Sequence, residues 1–117
     1  MAGFTNAFSA TTLDSALSAG DYIAWSANGT SEFASLARTA VGAWESATVA
    51  DPSVAGNTGA LTSAAATGAG TITHFAVYSA STAGTQKTDW TALDTSRTLA
   101  SGDQLSVAAG AIDVTLT

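Results

Sequence analysis

From Thr71 the chain reads TITHFAVYSASTAGTQKTDWTALDTSRTLASGDQLSVAAGAIDVTLT, to Thr117, with short segments broken at regular intervals by turn residues and no proline in any of them. That pattern is a run of antiparallel strands. Ile72 to Ser79 is the strongest of them. It carries apolar or aromatic residues on both faces, which predicts a central strand covered on both sides. Thr85 to Leu93, which contains Trp90, is expected to continue the sheet. Ser101-Gly102-Asp103 is a turn. Gln104 to Ala108 and Ala111 to Leu116 flank Ala109-Gly110, which reads as a hairpin connection. In the last segment Ile112, Val114 and Leu116 alternate toward a core, with Asp113 and Thr115 on the outer face.

The first part of the chain speaks more softly. Residues 5–18 read as a short helix, with Thr5 as its N-cap and Gly20 as its stop. Its apolar residues do not share one face: Phe4 and Phe8 fall opposite Leu13 and Leu17 at about 100° per residue. Such a helix is either short or sandwiched between two surfaces. Tyr22 to Ser26 is a strand, ended by the turn dipeptide Asn28-Gly29. Phe33 to Thr39 is ambiguous. Ala43 to Val49 alternates like a strand, with Trp44, Ser46 and Thr48 on one face. Asp51-Pro52-Ser53 and Gly68-Ala69-Gly70 are turns. Thr58 to Ala66 reads as a weak strand, because Ala and Gly are poor strand formers. The small-residue tract over 55–71 reads equally well as a linker. Many short strands with evenly spaced turns predict an all-β fold, an antiparallel β-sandwich of jelly-roll type. The expected organisation is a helix or extended arm over residues 1–20 and one sandwich domain over residues 21–117.

Composition limits what such a sandwich can do. Ala, Thr, Ser and Gly together exceed half of the chain, so large apolar side chains are few and the core must be lean. Charged residues are 10% of the chain, against about 25% in ordinary soluble domains. A neutral surface of small residues fits a subunit in an assembly. The formal charge is −6, and Arg38, Lys87 and Arg97 are the only basic residues. That balance argues against nucleic-acid partners and against a basic membrane-surface helix. No apolar run approaches the roughly 20 residues of a membrane span. Cysteine is absent, which removes disulfides and thiol chemistry. The opening residues have neither a basic segment nor a continuous apolar segment of the secretory kind, so the protein is expected to start in a cytoplasm.

A longer constellation carries a family resemblance. It comprises Ile72-Thr73-His74-Phe75-Ala76-Val77-Tyr78, a loop with Ala83-Gly84, Arg97-Thr98-Leu99, and Ser101-Gly102-Asp103-Gln104-Leu105-Ser106-Val107-Ala108-Ala109-Gly110-Ala111-Ile112. In this order it resembles the C-terminal half of small virion proteins of tailed bacteriophages, of the tail-fibre-like or decoration type. The helix from Gly3 to Ala19, the strand from Tyr22 to Ser26, the Leu36-Ala37-Arg38 element and the strand from Ala43 to Val49 match the order of parts in the same family. Leu36 stands where that family usually carries an aromatic residue, and the Ala27 to Glu32 loop is shorter than usual. The resemblance implies a structural role in the virion.

Residues that could carry chemistry read as structural. His74 is the only histidine and lies within the strongest strand. One ring nitrogen is expected to find a backbone or hydroxyl partner there, since a buried polar group needs one. Asp89 and Asp94 flank Trp90, but a glycosidase pair needs two carboxylates about 5–10 Å apart in a cleft. Positions five apart on a strand point to opposite faces. Trp25, Trp44 and Trp90 could stack on sugar, yet a chain with so few large residues needs them as packing. One histidine and no cysteine do not make a zinc site, no acidic loop has calcium-site spacing, and Gly68-Ala69-Gly70 has no lysine after it. No catalytic, cofactor-binding or metal-binding residues are therefore assigned.

The function expected from the sequence is non-enzymatic: a virion structural protein, first a capsid decoration (cement) protein. It would bind the phage major capsid protein, as a homotrimer, and stabilise the shell because only the assembled shell binds it. The alternative is a tail-associated fibre or adhesion module, with tail proteins or a host surface glycan as partner.

Overall fold

The computed structural model is described over residues 4–116. Among these residues one helix is followed by eight strands. Helix α1 (Asn6–Ala16) starts at the expected cap, where Thr5 Oγ1 accepts the Phe8 N–H at 3.2 Å. It stops before Gly20. Leu17 is already extended, and the Ser18 N–H donates to the Asp21 carboxylate at 2.8 Å, so a side-chain acceptor ends the helix. The inner face of α1, Ser9, Ala10 and Leu13, packs against strands β3 (Ser53–Gly56) and β8 (Asp113–Leu116).

The main sheet has four antiparallel strands: β1 (Tyr22–Ser26), β2 (Thr39–Ala40), β5 (Gly70–Tyr78) and β6 (Thr91–Leu99), in the order β2-β1-β5-β6. Two small antiparallel ribbons complete the fold. One pairs β3 with β8, and the other pairs β4 (Leu61–Thr62) with β7 (Ser106–Val107). The architecture is the expected all-β antiparallel sandwich with a short helix. Facing pairs Ile23–Val77 and Trp25–Phe75 line the inner face of the main sheet. They share one apolar core with Leu36, Leu61, Leu105 and Ile112. Each large side chain withdrawn from water there stabilises the fold by about 2 kcal/mol. Trp25 is fully buried, and its indole N–H donates to Thr39 Oγ1 at 3.1 Å, which ties β1 to β2.

A lean core needs polar staples, and Asn57 is the principal one. Fully buried, it donates from Nδ2 to the carbonyls of Gly59 (2.7 Å) and Ala108 (3.1 Å). Its Oδ1 accepts the Ile112 N–H at 2.9 Å. One side chain thus holds the loop after β3 against the turn between β7 and β8. The 55–71 tract is accordingly not a linker: Ala55, Asn57, Leu61, Ser63 and Ala66 in it are all buried.

Several strand boundaries differ from the sequence expectation. Ala43 to Val49 forms no strand. The Ala47 N–H is taken by Asp14 Oδ1 of α1 at 2.8 Å, which interrupts any ladder with β3. Isolated contacts remain, such as the Glu45 N–H to the Gly56 carbonyl at 2.7 Å. The expected strand over 58–66 shrinks to β4, while β3 begins at Ser53, which was read as part of a turn. Within Thr85 to Leu93, only Thr91 onward belongs to β6. Gln86 makes a single bridge to Tyr78, and the Thr88 hydroxyl accepts the Val77 N–H at 3.0 Å in place of a backbone carbonyl. Ala109-Gly110 is a turn, with Gly110 at φ +75°, but not a hairpin: the segments it joins pair with different strands.

Candidate binding surface

At the upper end of β5 the chain turns through Ser79 to Gly84, and Arg38 fastens that loop. Arg38 follows Leu36, which is buried in the core, so its side chain is carried to the surface at a fixed place. Nε and Nη2 donate to the two Glu32 carboxylate oxygens, each at 3.0 Å. Nη1 donates to the carbonyls of Ala80 (2.9 Å) and Ala83 (2.7 Å), and the guanidinium lies 3.9 Å from the centre of the Tyr78 ring. A planar fork does this and a lysine does not. The loop needs such an anchor because Ala83 adopts φ +51°, a left-handed conformation that costs a residue with a Cβ.

Tyr78 therefore has Arg38 over its ring and an O–H that donates to Gln86 Oε1 at 3.0 Å. Trp90 packs beside it, with ring centroids 6.2 Å apart and planes tilted by 51°. The three tryptophans thus have different fates. Trp25 is core. Trp44 is half-buried, and its indole N–H donates to the Ser18 carbonyl (3.2 Å) and to Asp21 Oδ2 (3.1 Å). Trp90 is also half-buried, but its indole N–H meets no acceptor within the described residues and is not enclosed. Of the three, Trp90 alone offers a partner both part of an aromatic face and a donor with no acceptor among the described residues.

The other residues considered from the sequence do not join this surface into a reactive site. His74 Nδ1 lies 2.7 Å from Thr73 Oγ1. Gly29, at φ +76°, presses against its ring so closely that a Cβ there would come within 2.9 Å of Nε2. Asp89 and Asp94 line two different grooves, both of which Phe75 also lines. Asp21, which the sequence reading passed over, is the most connected carboxylate. It is buried, pairs with Lys87 Nζ at 2.6 Å, and also accepts from Ser18 and Trp44. Lys87 in turn donates to the Ala16 carbonyl at 2.8 Å, so Asp21 and Lys87 tie the end of α1 to the segment that precedes Trp90. Its only signal in the sequence was its place just after the helix.

Of the parts that the phage resemblance led one to expect, the N-terminal helix and the strand from Tyr22 to Ser26 are present, and the strand from Ala43 to Val49 is not. A family model described as podophage GP4 fiber I protein gp80 matches residues 5–115. The chain belongs to that family. The match takes in α1, every strand up to β8 and the whole Arg38–Tyr78–Trp90 cluster, so the fibre family and this fold coincide over nearly the entire length. The protein is a phage virion structural protein of the fibre type. No curated protein matches it.

Proposed function

We propose that this protein is a tail-associated fibre component that acts by binding and catalyses no reaction. The observation that carries the proposal is the match of the podophage fibre family to residues 5–115, which supports the tail reading over the capsid-decoration reading. The sandwich supplies a rigid support, and the loop end around Trp90 supplies the contact. Loops on such a scaffold are where binding specificity usually lies. A half-open indole with a free N–H suits a host surface glycan, whose sugar rings pair an apolar face with hydroxyl acceptors.

Two experiments test this. Mass spectrometry of separated tails and capsids from purified particles should find the protein with the tails. Recovery with tail-free capsids would instead favour the decoration role and the major capsid protein as partner. The isolated protein should also label host cells, and Trp90→Ala should abolish the labelling while the circular dichroism spectrum stays unchanged. Unaltered labelling by that variant would move the contact away from the Trp90 end.

A further inference from the structure

Among the described residues, two features have no use within a single copy. The first is a knob. Phe4 and Phe8, 60% and 55% exposed, stand at the N-terminal end of α1 with their rings 4.9 Å apart, edge to face. The second is a hole. A groove of about 590 Å³ lies open between α1, β8 and the approach to β6. Leu13, Leu17, Phe75 and Leu116 are among the apolar residues lining it, and Asp89 and Asp113 bring negative charge to it. Lys87 also lines the groove, but it is already paired with Asp21.

The knob cannot enter its own groove. Phe4 and Phe8 fall on the side of the helix opposite Leu13, about 100° per residue apart. A second copy can supply it. The chain carries a formal charge of −6, so two copies repel wherever carboxylates meet. Residues 4–13 contain no charged side chain at all, and the first turn of α1 has no acid. The exposed N–H groups there give the helix start a partial positive charge, which is matched to the acids of the groove. Apolar knob meets apolar lining, and positive helix end meets negative rim.

We propose that the N-terminal end of α1 of one copy inserts Phe4 and Phe8 into the α1–β8 groove of the next, so that the protein associates with itself head to tail. Each copy then uses both features. Such a contact closes into a ring if its rotation permits and otherwise extends as a filament. The proposal goes beyond the fibre reading and does not depend on what Trp90 meets.

Complementation between two variants tests it. F4S/F8S removes the knob and leaves the groove intact. Thr115→Arg places a long side chain in the groove from an exposed position on β8 and leaves the knob intact. By size-exclusion chromatography with light scattering, the wild-type chain should have a multiple of the protomer mass. Each variant alone should have the mass of one protomer, and an equimolar mixture should form a one-to-one complex. A monomeric wild type overturns the proposal, as does wild-type association in F4S/F8S. If Thr115→Arg does not fold by circular dichroism, F4S/F8S decides alone, since both of its positions are exposed. A monomeric wild type that still needs Phe4 and Phe8 to enter particles also overturns it, and assigns the knob to another virion protein.

Discussion

Strands β5 and β6 are neighbours of equal length, nine residues each, yet they live in different environments. In β5 Phe75, Ala76 and Val77 are buried in succession, and the strand pairs with β1 on one side and β6 on the other. In β6 only Leu99 is buried, Leu93 is half-buried, and the outer edge pairs with nothing among the described residues. The register also slips. Between the Ile72–Arg97 and His74–Ala92 pairs, Leu93 to Ser96 stand against Thr73 alone. A bulge of this kind, with Asp94 and an exposed Arg97 at it, keeps an edge strand from pairing with other chains. One strand is built to hold the fold, and the other is built to face water without aggregating.

The sharpest way to break the contrast is to put a charge into each strand. Val77→Asp should abolish the cooperative thermal transition followed by circular dichroism, because an unpaired buried carboxylate costs several kcal/mol, of the order of the whole stability of a small domain. Ser96→Asp on β6 should leave that transition in place. Next, Ile72→Ala should lower the unfolding free energy in urea by about 3 kcal/mol, since Ile72 is fully buried. Thr39→Val should cost about 2 kcal/mol in the same measurement, because it leaves the buried Trp25 N–H without its acceptor. Arg38→Lys should cost about 1 kcal/mol and speed amide hydrogen exchange in residues 79–86, with exchange in β1 unchanged. Thr95→Ala should change stability by less than about 0.5 kcal/mol. A larger loss there would mean that the bulge is itself a packing element.

The same contrast explains what could be read from residues in order. β5 was legible because its apolar run is dense enough to require cover on both faces, wherever that cover comes from. β1 was legible because Tyr22 to Ser26 ends at Asn28-Gly29, and a positive-φ glycine at that turn packs on His74. The start of β6 was misplaced because the Thr88 hydroxyl substitutes for a backbone partner, and side-chain substitution leaves no periodic trace. The Trp90 surface was legible only as one of three equal tryptophans. What separates them is whether an acceptor waits for each indole N–H, and those acceptors come from residues distant in sequence, such as Thr39 for Trp25 and Asp21 for Trp44.

By itself the sequence determined the all-β class, the capped helix, the turns at Gly29, Gly102 and Gly110, and the phage-fibre resemblance. These rest on local conformation or on residue order, and both are written along the chain. Only the tertiary structure decided that the strands around Ala109-Gly110 part to β4 and β3, that Asp14 dissolves the strand expected at Ala43 to Val49, and that the Trp90 donor finds no acceptor among the described residues. Those outcomes depend on which distant groups compete for the same hydrogen bonds and the same buried space, and that competition exists only once the chain has folded.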